Sequence, residues 1–139
     1  MKKLLFSIFI LMITTNYSIC STINSYDKYG SKTGSFRSDG TTITQYDKYS
    51  SKTGTYRQTS SGYNAYDKYG SKTGSYQKTS SGYNSYDKYG NKTGSFKTNS
   101  NGVTTQYDKY GNKTGSFRTD SNGRTTHYDK YGNKIGTFE

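Results

Sequence analysis

Residues 21 to 139 predict an all-β fold: about six two-stranded β-hairpin units of 20–21 residues each, joined as an antiparallel meander, barrel or solenoid. Tyr-Asp-Lys-Tyr recurs at Tyr26, Tyr46, Tyr66, Tyr86, Tyr107 and Tyr128, and ten residues after each stands another aromatic, Phe36, Tyr56, Tyr76, Phe96, Phe117 and Phe138. The segments between are rich in Thr, Tyr, Phe, Ser and Ile, which suit a pleated, half-buried surface. Clusters of Asp, Asn, Ser and Gly bound them at regular intervals, and the chain contains no Pro. The count is about twelve short strands. A closed barrel, a solenoid and a single-layer sheet share this period, so the sequence leaves the three open.

Residues 1 to 20 form a separate segment. Lys2 and Lys3 precede an apolar run from Leu4 to Ile13, and polar and small residues lead to Cys20, the pattern of a secretory signal peptide cut after Cys20. The run falls short of the ~20 residues a membrane-spanning helix needs. A bacterial lipid anchor on Cys20 is the rival reading, disfavoured by Ile19 where such signals carry a small residue. The expectation is a secreted, periplasmic or cell-surface protein. Without that segment the chain carries 18 Lys plus Arg against nine acidic residues, a formal +9, and no Cys. A small exported fold without disulfides must rest on backbone ladders, aromatic packing, assembly or a partner.

Each repeat opens with the stretch from Asp27 to Gly30 and its counterparts, with Ser50 in place of Gly in the second copy. Asp at the first position of a turn accepts from backbone N–H groups, and Gly at the fourth adopts a left-handed conformation without a Cβ clash. The following strand alternates: Lys32, Gly34 and Phe36 share one face, Thr33, Ser35 and Arg37 the other. Gly recurs two residues before each aromatic, at 34, 54, 74, 94, 115 and 136, which predicts either a neighbouring ring lying across it or a bend in the strand. The second turn is Ser38 to Gly40 in the first copy and a longer Ser/Thr/Asn/Gly stretch later, as at Thr98 to Gly102 and Thr119 to Gly123. Spacing within Tyr-Asp…aromatic is constant, whereas the interval to the next Tyr-Asp grows from ten to eleven residues in copies four and five. Length variation belongs at a free loop, so the Tyr-Asp-Lys-Tyr-Gly end is expected to be packed and the Ser/Asn/Gly tip exposed.

The stretch from Asp120 to Asn133, with Gly123-Arg124-Thr125-Thr126 before Tyr128-Asp129, resembles the YD repeats of the RHS family, and similar Tyr-Asp-x-x-Gly turns occur at Tyr26, Tyr66, Tyr86 and Tyr107. The resemblance implies antiparallel hairpins in a secreted or surface-associated β-sheet. RHS chains are much longer shells with C-terminal toxin domains and a further aromatic two residues before the YD tyrosine, where this chain has Thr44, Asn64, Asn84, Thr105 and Thr126. A weaker resemblance, through the late Gly34-Ser35-Phe36 type of pair, is to cell-wall or choline-binding repeats. It implies aromatic cages between hairpins, although Trp, usual in such cages, is absent here.

The candidate ligand-binding rings are Tyr29, Phe36, Tyr46, Tyr49, Tyr66, Tyr69, Tyr86, Tyr89, Tyr107 and Tyr110, read alternatively as core. The candidate contacts to an anionic polymer are Lys28, Lys32, Lys48, Lys52, Lys68, Lys72, Lys88, Lys92, Lys109 and Lys113, read alternatively as solubilising charges that discourage edge pairing. The aspartates stand singly, which favours turn formation over calcium binding. No cofactor, metal site or catalytic motif is expected. His127, the one histidine, lies where other copies carry Ser, Gln or Ala. The sequence therefore points to an exported, non-enzymatic repeat protein acting as a structural or adhesive surface or matrix element, with a carbohydrate or anionic-polymer (cell-wall) binding module as the alternative. The expected partners are further copies of itself, for which amyloid-like stacking is one form, or a polysaccharide or other anionic surface polymer.

Overall fold

The computed structural model describes residues 21 to 139; the expected signal segment and its Cys20 lie outside the described residues. Twelve strands follow in chain order: β1 (Thr22–Asp27), β2 (Lys32–Ser38), β3 (Thr42–Asp47), β4 (Lys52–Thr59), β5 (Gly62–Asp67), β6 (Lys72–Thr79), β7 (Gly82–Asp87), β8 (Lys92–Thr98), β9 (Thr104–Asp108), β10 (Lys113–Thr119), β11 (Thr125–Asp129) and β12 (Lys134–Phe138). Each pairs antiparallel with its neighbours in sequence, and β1 pairs with β12, so the sheet closes into a barrel. Of the three architectures left open by the sequence, the barrel is the one formed.

Closure follows one register throughout. Between repeats the inward aromatic faces the residue before the YD tyrosine: Phe36 opposite Gln45, Tyr56 opposite Ala65, Tyr76 opposite Ser85, Phe96 opposite Gln106 and Phe117 opposite His127. The closing pair, Phe138 opposite Ser25, is the same pairing again. Each hairpin is thus related to the next by the same rotation, and six such steps return the chain to its start. A barrel has no free edge, so the edge-to-edge stacking that a flat sheet of these strands would invite has no template in the folded monomer.

The inside is filled by rings. Phe36, Tyr56, Tyr76, Phe96, Phe117 and Phe138 are all buried, with Ile23, Ile43, Tyr83 and Ala65 among them. An eight-stranded barrel is narrow enough for ordinary side chains to fill; one of twelve strands is wider, and a large ring from every even-numbered strand meets the extra volume.

Of the two reasons expected for the glycines before those aromatics, the bend in the strand is the one that agrees with the structure, and a backbone carbonyl is nearer to each of them than any ring. A Cβ on Gly34 would lie 2.5 Å from the carbonyl oxygen of Tyr46, and one on Gly74 2.5 Å from that of Tyr86, so the next strand's backbone, not a ring, occupies the space. A β-bulge accompanies each: the register slips between Ser25 and Tyr26 against β2 and at the same place in the later hairpins. The bulge also interrupts the simple alternation, since the Thr33 hydroxyl donates to Oγ of buried Ser25 at 3.0 Å although Thr33 was assigned to the opposite face. From Gly34 onward the alternation holds, with Gly34 and Phe36 buried and Arg37 exposed.

Candidate functional site: the lysine and tyrosine rim

All six Tyr-Asp-Lys-Tyr turns join an odd strand to the following even one, so the closed meander gathers them at one end of the barrel. The turns share one geometry. In the first, Asp27 Oδ1 accepts from the backbone N–H of Tyr29 and of Ser31, both at 2.9 Å, and the Gly30 N–H donates to the Asp27 carbonyl at 3.1 Å. Gly30 has φ +87°, and the second copy places Ser50 in that region at φ 66°. The turn role expected for the aspartates is what the structure contains. In the last three copies Asn follows the Gly, and the side chains of Asn91, Asn112 and Asn133 donate to the second carboxylate oxygen of Asp87, Asp108 and Asp129. Those Asn hydrogen bonds are the main reason that the three carboxyls are held below their ordinary range, backbone donors adding to the effect.

This end is exposed, which corrects the expectation that it packs. Its constant length has another cause: the Asp carboxylate, the carbonyl it spans and the adjoining bulge fix the number of residues without any packing against the tip. The second tyrosines, Tyr29, Tyr49, Tyr69, Tyr89, Tyr110 and Tyr131, stand 77 to 81 % exposed, and they are all of the exposed large hydrophobic side chains among the described residues. Over each ring lies the ammonium of the preceding lysine: Lys28, Lys48, Lys68, Lys88, Lys109 and Lys130, at 4.7 to 4.9 Å from the ring centre. Lys32, Lys52, Lys72, Lys92, Lys113 and Lys134 begin the even strands beside the same turns and are exposed. The rim therefore carries twelve lysines against six aspartates.

The remaining candidate rings go elsewhere. Tyr46, Tyr66, Tyr86 and Tyr107 are half-buried on the outer wall, where Arg57 covers Tyr66 at 5.1 Å and Lys97 covers Tyr107 at 5.6 Å. Phe36 is wholly buried inside. Tyr29 at a tip, Phe36 in the interior and Tyr46 on the wall do not converge on one cage. Tyr131 was outside the candidate set although its turn is identical to the others, and the repeat period alone would have found it. Arg118, over Tyr128 at 5.8 Å, was also missed, because a diagonal contact between strands becomes visible only once the register is known.

The other end is built differently. Two of its loops, from Asn99 to Gly102 and from Asp120 to Gly123, repeat the rim's turn geometry: Asn99 Oδ1 accepts from the N–H of Asn101 and Val103, and Asp120 Oδ1 from that of Asn122 and Arg124. Their glycines lie at φ +73° and +82°. The two central residues there are Ser-Asn rather than Lys-Tyr.

His127 sits inside, buried and stacked on Phe117 at 4.1 Å between ring centres, and its Nδ1 has no hydrogen-bond partner. Desolvation lowers its pKa to about 4, the Asp129 charge opposing in part. Among the described residues no three His, Cys, Asp or Glu side chains come together as a metal site would require. The outward positions of the strands mix small polar residues such as Ser35, Thr44, Asn64 and Ser75 with one row of half-buried tyrosines, Tyr26, Tyr46, Tyr66, Tyr86, Tyr107 and Tyr128, and they carry no aliphatic band of the kind a lipid-facing barrel wall presents. No protein-family model, curated protein or solved structure matches the chain.

Proposed function

We propose that this is an exported, non-enzymatic adhesive element of a cell surface or matrix, and that the lysine and tyrosine rim is its adhesive face. One observation carries the reading. The turn needs Asp or Asn at its first position and a left-handed residue at its fourth, Gly in every copy but the one with Ser50, and the opposite end of the same molecule makes it with Ser-Asn in the middle. Lys-Tyr at those two positions in all six rim turns is therefore not a requirement of the fold. Six phenols held in water, each beside an ammonium, are costly to solubility and useful for contact. Acidic surface polysaccharide is the second reading of the target, favoured by rings that can stack on sugar faces while lysines meet carboxylates. The resemblance to YD and cell-wall repeats agrees with either target.

Replacing Lys-Tyr by Ser-Asn in all six rim turns separates adhesion from folding. The native protein is expected to be retained on purified cell envelopes and on polyuronate at low salt and released as salt rises. The variant should keep its β-sheet circular dichroism and its melting temperature and lose retention. Equal retention of a folded variant would remove the rim from the reading.

A further inference from the structure

The shape of the rim selects among anionic targets. Because every inter-repeat junction, the closing one included, has the same register, the six turns stand at one height around the barrel axis. Twelve strands about 4.8 Å apart, tilted by about 40°, give a ring about 24 Å across with neighbouring tips about 12 Å apart along it. A linear chain laid over such a ring meets two or three tips unless it curls tightly. A flat surface meets all six.

The tips suit a particular flat surface. Tyrosine has an apolar ring and a polar end and resides at the level of lipid headgroups, while lysine stems lie along apolar groups and deliver the ammonium to phosphate. An ammonium resting on the ring travels with it, so each tip brings both parts together. The outer wall has no aliphatic band: its tyrosine row is flanked by Ser, Thr and Asn and is covered in three copies by Arg57, Lys97 and Arg118, which suits water better than lipid tails and leaves the barrel standing on the surface instead of crossing it. Away from the rim there is no exposed large hydrophobic side chain among the described residues, and six cations, Arg37, Arg57, Lys78, Lys97, Arg118 and Arg124, stand with three acids, Asp39, Asp120 and Glu139, half the excess of positive charge that the rim carries.

We infer that the protein docks end-on, through all six Lys-Tyr tips at once, onto the planar headgroup layer of an anionic lipid bilayer. This rests on the rim being the adhesive face and names its target.

Co-sedimentation of the protein, with residues 21 to 139 intact, would use vesicles of phosphatidylcholine alone and vesicles with about one-third phosphatidylglycerol, beside soluble polyuronate and DNA at equal charge and ionic strength. Binding to the anionic vesicles is expected, with weaker binding to the polymers and none to the neutral vesicles. Changing Lys-Tyr to Ser-Asn in a single turn should weaken vesicle binding about fivefold, the factor that ~1 kcal/mol per lysine at an anionic surface gives, whichever turn is changed. A polymer that uses two or three tips would leave single changes nearly silent, since other sectors of the ring substitute. Binding to the polymers without binding to vesicles, or silent single changes on vesicles, would overturn end-on docking and leave the adhesive reading standing. Binding to none of the probes and to no envelope preparation would remove both.

Discussion

The two ends of the barrel solve the same task, reversing a strand, under different constraints. At the Lys-Tyr rim all six connections have one length and one hydrogen-bond pattern. At the other end the connections take three forms: a short loop in which Asp39 Oδ1 receives the Thr42 N–H, two-residue links between Thr59 and Gly62 and between Thr79 and Gly82, and the Asn99 and Asp120 turns. The difference lies in what adjoins the turn. Rim turns run into a bulge beside a glycine that the neighbouring strand's carbonyl nearly touches, so their length is tied to the packing of three strands. The opposite loops only join strands whose register is already set, and one residue more or less is absorbed. Uniformity at the rim is thus a consequence of the strands below it, whereas the Lys-Tyr pair on top is a separate feature that those strands do not demand.

The largest effect is expected where that coupling is tightest. Gly74→Val would drive a side chain into the Tyr86 carbonyl, 2.5 Å from where the Cβ would sit, and backbone cannot yield as a flexible side chain can. A loss on the order of 4 kcal/mol in denaturant unfolding is the expected size for overpacking at a backbone contact. A change as mild as one at an exposed loop would show that the bulge, and with it the uniform rim, does not depend on this approach.

A second test concerns the layer just beneath the rim, where the copies differ. Ser25, Gln45, Ala65, Ser85, Gln106 and His127 occupy equivalent inward positions, and the histidine alone titrates. Its pKa is about 4 in the folded barrel against an ordinary 6.5, because burial disfavours the charged ring. A depressed histidine binds its proton first in the unfolded chain, so stability is full above about pH 6.5, falls as pH drops, and levels off below about pH 4. The gap corresponds to about 3 kcal/mol. His127→Gln, which places at this site a residue already accommodated at 45 and 106, should flatten the profile between those limits. The rim carboxylates act in a different window: Asp87, Asp108 and Asp129, held below 3.8, favour the fold above that value and lose their contribution only as pH falls through their lowered pKa values. A native profile that stays flat down to pH 4 would show that His127 is not held neutral by burial.

The strands and turns were legible because Asp, Gly and the late aromatic recur in fixed register, and local chemistry specifies a turn or an inward ring. Closure was not legible. It depends on β12 meeting β1 with the same pairing as Phe36 with Gln45, and nothing in one repeat encodes the total rotation of six. The glycines were read as structural with a ring or a bend left open; the bulge answers to the bend, while the carbonyl of the next strand that crowds each glycine leaves no mark in composition. The rim was misread as packed for a related reason: constant length signals constraint, and here hydrogen bonds and a bulge impose it rather than burial. Lys28 and Tyr29 were found as candidates, but their contrast with Ser100 and Asn101 in an equivalent turn emerged only once both turns could be superposed in hydrogen-bond pattern.

The smallest effect falls on the one rim turn that departs from the rest. Ser50 occupies the left-handed region at φ 66°, where the other copies place Gly at φ between +87° and +94°. An L-residue there suffers a Cβ–carbonyl clash that glycine avoids, while glycine loses more freedom on folding; the first effect dominates at a position fixed in this region. The Ser50 N–H already donates to the Asp47 carbonyl at 3.1 Å, and Gly would keep that bond. At the equivalent Gly30 and Gly70 the space around a Cβ is empty, so Ser50 gains no packing that its removal would sacrifice. Ser50→Gly should therefore stabilise the barrel by up to about 1 kcal/mol, read as a raised denaturant midpoint with an unchanged slope. The same variant should leave adhesion unaltered, because Lys48 and Tyr49 remain in place. A lower midpoint would mean that the left-handed backbone is not what sets the rim turn, and that the serine hydroxyl holds this copy in register by a contact of its own.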